Sequence, residues 1–89
     1  MLIEFDAAKN EANIAARGIS FELAADFDLH TAIVLRDDRR DYGEERHLLM
    51  GRIDGRVHVM VYTLRGLVIR VISLRKANAR EVEHYEQAT

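Results

Sequence analysis

The feature that most constrains this chain is an Asp54-Gly55 pair between two β-prone segments. Asp-Gly is a favoured two-residue hairpin turn, because both turn positions need positive φ angles. The segment after it, Arg56 to Leu64 (RVHVMVYTL), alternates valine with bulkier or polar side chains, as a strand with two different faces does. The segment before it, Arg46 to Ile53, is its expected antiparallel partner. The sequence therefore predicts a hairpin at the centre of a sheet.

The hairpin is expected to continue into a third strand. Arg65-Gly66 is the next turn signal, and Leu67 to Arg75 (LVIRVISLR) is rich in β-branched residues. Asn78 can then cap a C-terminal helix, and Glu81, three residues later, would complete a capping box. Residues 46 to 80 thus read as an antiparallel meander that leads into a helix.

The first half of the chain predicts two short helices and one more strand. Asp6 can cap a helix from Ala7 to Ala16, which Gly18 would end. Ser20 can cap a second helix, from Phe21 to Phe27. Thr31 to Arg36 reads as a short strand, and the residues from 37 to 45 as a charged loop. We expect one α+β domain over residues 1–89, with two N-terminal helices, a four-stranded, largely antiparallel sheet and a C-terminal helix.

The charge is unevenly distributed, although the net charge is only −2. Residues 46 to 80 carry eight basic side chains and one acidic one, whereas residues 1 to 45 carry five basic and eleven acidic ones. Seven of those eight are arginines, whose planar fork suits phosphate or carboxylate. Charge alone leaves two interpretations open. The arginines either bind an acidic ligand or pair with the acidic half of the chain.

The Asp54-Gly55 turn also fixes a register, in which residue 53 pairs with 56, 51 with 58 and 47 with 62. One face then carries the valines at 57, 59 and 61 and is expected to pack on the helices. The other face mixes polar and apolar groups, as a binding face would, and its members are His47, Leu49, Gly51, His58, Met60 and Tyr62.

The register of the last strand stays open. A two-residue turn at Arg65-Gly66 would pair Ser73 with His58, place Arg75 on the mixed face and place Arg70 on the helix-packed face. A three-residue turn would exchange the two arginines.

Histidines, a tyrosine and an arginine on one face could serve metal-free RNA cleavage. This reaction needs a base for the 2′-hydroxyl, a cation for the phosphoryl charge and an acid for the 5′-oxygen. We expect no metal or other cofactor, because the chain has no cysteine and no H-x-x-x-H spacing. No apolar run is long enough for a membrane span, and the N-terminus lacks the basic region of a signal peptide.

The segments together resemble the BrnT family, the toxin halves of BrnT/BrnA type II toxin–antitoxin pairs. The resemblance runs in order through nearly the whole chain. Its matching stretches are Phe5 to Asn10 with Asn13, Gly18 to Glu22, Asp38-Arg39 with Asp41 to Arg46, Val61 to Thr63 with Arg65, Arg70 to Ser73 with Arg75, and Tyr85.

The resemblance implies a RelE-like fold, a cytoplasmic location and a ribonuclease that arrests translation. It implies a small BrnA-like antitoxin with a ribbon-helix-helix DNA-binding part, and operator DNA contacted only through that antitoxin. By position, Arg65, Arg70 and Arg75 match family basic residues near the presumed RNA cleft. The predicted catalytic set is therefore Arg65, Arg70, Arg75, His58 and Tyr62, and the predicted RNA- or antitoxin-binding set is Arg46, His47, Arg56, Lys76 and Arg80.

Two places depart from the family pattern. The family commonly has Lys-His before the glycine that ends the first helix, where this chain has Ala16-Arg17, and an acidic residue where it has Leu64. These changes leave an alternative in which the protein is a catalytically weak binding module that acts mainly through its antitoxin complex in operon autoregulation. The sequence leaves open the RNA preference, ribosome dependence, the acid and base roles and the oligomeric state.

Overall fold

The computed structural model describes residues 1–89 as a five-stranded mixed sheet with helices on both faces. The strands are β1 (Ile3–Glu4), β2 (Ile33–Arg36), β3 (His47–Ile53), β4 (Arg56–Arg65) and β5 (Val68–Lys76). The helices are α1 (Ala7–Arg17), a 3₁₀ helix (Phe21–Asp26) and α2 (Ala79–Ala88). Across the sheet the order is β1-β5-β4-β3-β2. Only β1 is parallel to its neighbour.

The predicted fold class is correct as α+β, and three details are wrong. The sheet has five strands because β1 adds two residues beside Ile69 and Arg70 of β5. The second N-terminal helix is a 3₁₀ helix of six residues. The last turn is formed by Gly66 and Leu67, because Arg65 pairs with Val68.

Local signals explain where the helices begin and end. The Asp6 carboxylate accepts a hydrogen bond from the Lys9 amide, and Gly18 ends α1 in the left-handed conformation at φ 70°. Asn78 and Glu81 form the predicted capping box, in which each side chain accepts from the other residue's amide.

The central hairpin has the predicted register. Ile53 pairs with Arg56, Gly51 with His58 and His47 with Tyr62. Asp54 and Gly55 both have positive φ, at 50° and 76°, as the tight turn requires.

Both faces of the sheet are covered, but by different helices. The face that carries His58, Met60 and Tyr62, called here the histidine face, packs against α1 and the 3₁₀ helix. Its buried cluster is Ile19, Phe21, Ala24, Phe27, Leu49, Ile53, Met60, Tyr62, Val71 and Leu74. The opposite face, with Val57, Val59 and Val61, is called the valine face. It packs on α2 through Met50, Val57, Val59, Ala77 and Tyr85.

This arrangement corrects the predicted roles of the faces. The valine face does pack on a helix, but only on α2. The histidine face, expected to be the binding face, holds the main core instead, and His58 and Tyr62 are buried there. The prediction took the polar groups on this face as a sign of exposure. The alternation shows only which residues share a face and does not show which face is covered.

Asn13 ties α1 to the sheet. Its Nδ2 donates to the carbonyls of Ile19 and Leu74, each at 2.9 Å, and the side chain is buried. The two-residue strand β1 pairs with β5 only at Ile69 and Arg70, so it does not reach the Leu74 carbonyl. The Asn13 side-chain amide donates to this carbonyl in place of a neighbouring strand.

We expect Asn13→Ala to lower the free energy of unfolding by about 2 kcal/mol, because it leaves two buried carbonyls without a donor. Urea denaturation followed by circular dichroism measures the change. Glu11→Ala, at an exposed site of the same helix, is the control and should shift stability by less than about 0.5 kcal/mol. Equal effects of the two substitutions would contradict this role of Asn13.

Candidate functional site: an arginine face paired with carboxylates

The three arginines of the predicted catalytic set lie on the valine face. Arg65 continues the alternation of Val61 and Thr63 along β4. Arg70 pairs with Thr63, and Arg75 pairs with Val59, so both share that face. The valine face therefore carries three arginine side chains, called here the arginine face. Arg65 and Arg70 lie beyond the part that α2 covers, and Arg75 lies beside the first turn of α2.

A β-bulge makes this grouping possible. The pairing of β4 with β5 shifts between Val61 and Tyr62, because Val61 pairs with Ser73 whereas Tyr62 pairs with Val71. Ile72 is therefore an extra residue without a partner. Side chains five positions apart would point to opposite faces of a regular strand. Both registers considered from the sequence separated Arg70 from Arg75 in this way, and both are wrong.

Arg75 is held by the first turn of α2. Its Nη1 and Nη2 donate to the two Glu81 carboxylate oxygens at 2.7 and 2.8 Å, a two-pronged ion pair. The Glu81 carboxylate, through these bonds, raises the pKa of Arg75. The positive charge of Arg39 acts on that pKa in the opposite direction, so the loop from 37 to 45 brings a second arginine towards β5. The Arg75 guanidinium lowers the pKa of Glu81, which stays ionised at neutral pH.

Arg70 has a looser partner. Its Nη1 lies 3.6 Å from a Glu4 carboxylate oxygen, and Glu4 reaches this position because β1 pairs with β5 at Arg70. About a third of the Arg70 side chain is exposed, so solvent reaches the guanidinium. Because the pair is long and partly exposed, a phosphate can compete for Arg70 more easily than for Arg75.

The loop from 37 to 45 closes the other side of the arginine face. The Asp37 carboxylate is 1% exposed and accepts two hydrogen bonds from the Arg39 guanidinium, at 2.8 and 2.9 Å. Tyr42 donates a third, at 3.3 Å. The bonds from Arg39 are the main reason that the pKa of Asp37 falls to about 2.

Arg46 lies against this loop. Its guanidinium stacks over the Tyr42 ring at 4.0 Å from the ring centre, an attractive cation–π arrangement. Its Nε is buried without a hydrogen-bond acceptor, since the nearest Glu44 oxygen is 3.8 Å away. No other buried side-chain nitrogen or oxygen of the chain lacks a partner.

The proton-transfer candidates named from the sequence lie on the other side of the sheet. His58 is buried, and its Nδ1 forms a 2.7 Å hydrogen bond with the Arg56 carbonyl. Tyr62 packs in the main core beside His47, with ring centres 5.3 Å apart, and burial raises the pKa of the Tyr62 hydroxyl. The structure thus separates these three side chains from Arg65, Arg70 and Arg75.

The other members of the predicted binding set are spread over the surface. Lys76 pairs with His58, so it lies on the histidine face, and it is exposed. Arg56 donates to the Ala77 carbonyl at 3.3 Å. Arg80 is exposed in the first turn of α2. Of this set, only Arg46 lies next to the arginine face.

The acidic partners of the arginine face could not be predicted from the sequence. Glu4 and Glu81 come from distant parts of the chain, and only the fold brings them to Arg70 and Arg75. Glu81 was recognised as a capping residue, and no signal in the sequence indicated its second role at Arg75. The site therefore offers guanidinium groups for a phosphate and carboxylates that can accept a proton, with no histidine beside them.

The fold and the arginine face together define a small α+β domain with three arginines on one face of its sheet. A family model described as ribonuclease toxin, BrnT, of type II toxin-antitoxin system matches residues 5–81. The chain belongs to the BrnT family, whose members are ribonuclease toxins. A toxin of this type implies an antitoxin partner. A search among curated proteins found no match.

Neither α-helix of this chain, with 11 and 10 residues, is long and apolar enough to cross a membrane.

The buried ion pair of Asp37 gives a prediction for acid stability. A carboxylate with a lowered pKa stabilises the fold above its unfolded pKa, near 4, and this contribution disappears as the pH falls through about 2. At pH 7, Asp37→Asn should lower the free energy of unfolding by about 1 to 2 kcal/mol, because Arg39 loses its charged partner. Thermal unfolding at pH 7, 4 and 2 measures the difference.

Asp38→Asn is the matched control, because the Asp38 side chain is 73% exposed and its ion pair with Arg36 is solvated. A difference between the Asp37 variant and the parent chain that stays constant from pH 7 to pH 2 would contradict the ion-pair explanation.

Proposed function

We propose that this protein is the endoribonuclease toxin of a type II toxin–antitoxin pair, that it cleaves RNA without a metal ion and that it arrests translation in the cytoplasm. A cognate BrnA-like ribbon-helix-helix antitoxin neutralises it, and operator DNA is contacted only through that antitoxin. Family membership supports the class of activity. The observation that carries the proposal is that Arg65, Arg70 and Arg75 share one face of the sheet, where the bulge in β5 brings Arg70 and Arg75 to the same side.

The arginine face supplies what phosphodiester cleavage by the neighbouring 2′-hydroxyl demands most. Charge accumulates on the phosphoryl oxygens as the 2′-oxygen attacks, and fixed cations beside them lower the barrier. In the proposal, Arg70 and Arg75 bind the scissile phosphate and Arg65 binds a neighbouring one. Their guanidinium groups sit on a sheet, which holds them in place before the substrate arrives.

Proton transfer is assigned to groups on the same face. A carboxylate beside an arginine can accept the proton of the 2′-hydroxyl, and Glu4 is the partly exposed carboxylate nearest Arg70. The Tyr42 hydroxyl, which donates to the Asp37 carboxylate in the free protein, is assigned as the proton donor to the departing 5′-oxygen. His58 and Tyr62, which the sequence suggested for proton transfer, are not assigned to it because both are buried on the histidine face.

A growth assay tests the arginine assignment. Expressing the chain without its antitoxin should stop growth and degrade cellular RNA, and Arg70→Ala and Arg75→Ala should each restore growth. The loss of one phosphate-binding donor should lower the cleavage rate by about 100-fold or more, as for other transition-state donors. RNA gels and viable counts are the measurements.

Arg36→Ala is the control for this assay. Arg36 is 62% exposed on β2 and pairs with His47, so it lies on the histidine face. Its substitution removes the same charge and should leave the chain toxic. A harmless parent chain would count against the nuclease, and a toxic Arg70→Ala variant would reject the site.

A second pair of variants distinguishes the two faces. Tyr62→Phe removes only a buried hydroxyl and should retain the parent cleavage rate within about threefold, as expected for a group outside the reaction. Glu4→Gln should lower that rate by about 100-fold, the usual contribution of a general base. Cleavage of a fluorescent RNA by the purified variants gives both rates. A larger loss of rate in Tyr62→Phe than in Glu4→Gln would assign proton transfer to the histidine face.

One observation favours a second candidate function. Arg70, Arg75, Arg39 and Arg46 each already have a carboxylate within 4.0 Å. A face neutralised in this way suits a catalytically weak binding module that acts mainly through its antitoxin complex in operon autoregulation. In that case the antitoxin complex forms tightly and with strong salt dependence, and the chain alone neither stops growth nor cuts RNA.

A further inference from the structure

The structure has four surface clefts, and they differ in their charged residues. The cleft between the central hairpin and α2 includes Glu83 and Glu86, and the cleft around the loop from 37 to 45 includes five acidic residues. The other two clefts lie beside β5 and contain no acidic side chain at all. Because a carboxylate repels a bound anion, only these two offer an anion an uncompensated positive surface.

The two acid-free clefts adjoin each other, because Arg17 lines both. The first, of about 320 Å³, also has Lys9 and Ser73 in its wall. The second, of about 310 Å³, is formed by Arg17, Ile19, Arg75 and Lys76. Together they make a channel along β5, called here the basic channel, with four cations on its walls. Arg75 belongs to both the basic channel and the arginine face, so the two surfaces are continuous.

Three of the four cations of the basic channel are more available than Arg70 and Arg75. Lys9, Arg17 and Lys76 form no ion pair within the protein, whereas Arg70 and Arg75 each do. Asp6, three residues before Lys9, is occupied as the cap of α1. A phosphate bound by these three residues therefore needs to displace no carboxylate.

Arg17 is held in place for such a contact. Its Nη1 donates to Asn13 Oδ1 at 2.8 Å, and the Asn13 amide is fixed by its two bonds to the Ile19 and Leu74 carbonyls. A guanidinium with one donor fixed by a buried amide loses less conformational entropy when an anion binds. The remaining donors of Arg17 are free for a ligand.

We propose that the basic channel binds the phosphate backbone of the RNA strand beyond the cleavage site, through Arg17, Lys76 and Lys9. This rests on the proposed function, because the strand enters the channel at Arg75. The only aromatic residue in the channel wall, Phe21, is 2% exposed and offers no ring for base stacking. The channel therefore recognises backbone charge and is indifferent to base sequence.

The test is a binding titration with a short fluorescent 2′-O-methyl RNA, which lacks the attacking hydroxyl and so reports binding without cleavage. Arg17→Gln removes the charge and keeps an amide that can still donate to Asn13. Arg17→Gln and Lys76→Gln should each weaken binding about three- to tenfold at low salt, and each should reduce the slope of log affinity against log salt by about 0.7. The same losses should appear with RNAs of different sequence.

Arg36→Gln is the charge-matched control and should bind as the parent chain does. Unchanged affinity and slope in both channel variants would overturn the proposal. A loss confined to a poly-glutamate peptide, with RNA binding intact, would assign the channel to an acidic protein partner and also overturn it.

Failure of the channel and failure of the nuclease give different results. If the parent chain cleaves RNA but Arg17→Gln binds RNA as tightly as the parent does, the proposed role of the channel is wrong and the proposed function stands. If the parent chain cleaves no RNA but Arg17→Gln lowers RNA affinity and its salt dependence, the channel does bind RNA and the proposed nuclease activity is wrong.

Discussion

Burial of β4 on both faces is the constraint on which the rest of the structure depends. Every residue from Val57 to Thr63 is buried, so each face of this strand needs a cover. The N-terminal helices cover the histidine face, and α2, only ten residues long, covers half of the valine face. No helix covers the far half of the valine face, where the loop from 37 to 45 contacts Thr63 and where Arg65 and Arg70 project. The site thus occupies the part of the sheet that the helices leave open.

The sequence predicts this fold well where local signals act alone. The Asp54-Gly55 turn sets the hairpin register to the residue, and the caps at Asp6, Ser20 and Asn78 mark three helix starts. It fails where the outcome depends on distant contacts. The two residues of β1 are too few to show a periodic pattern. The alternation of β4 does not indicate which helix covers which face. The bulge in β5 cannot be recognised in a sequence that is rich in β-branched residues throughout. That Arg65, Arg70 and Arg75 share one face could be seen only in the structure.

The paired charges explain how a segment with seven more basic than acidic residues folds into a small sheet. Arginines on neighbouring strands would repel one another without counter-charges nearby. Glu4, Glu44 and Glu81 supply them from the first strand, the long loop and the last helix. The same residues therefore complete the fold and occupy the guanidinium groups until a ligand replaces them. Lys9, Arg17 and Lys76 of the basic channel have no such partners, which makes them the free cations that an approaching polyanion first meets beside β5.

The extra residue at Ile72 has a consequence for how related chains should be compared. Arg70 and Arg75 are five positions apart in sequence but behave as if they were four apart in the ladder. A chain that lacked residue 72 would place the same two arginines on one face of a regular strand, and its site would be unchanged. In an alignment this would look like a deletion inside a strand, which is usually taken as a sign of a damaged fold. At this position a gap preserves the geometry, whereas an added residue between the two arginines would disrupt it.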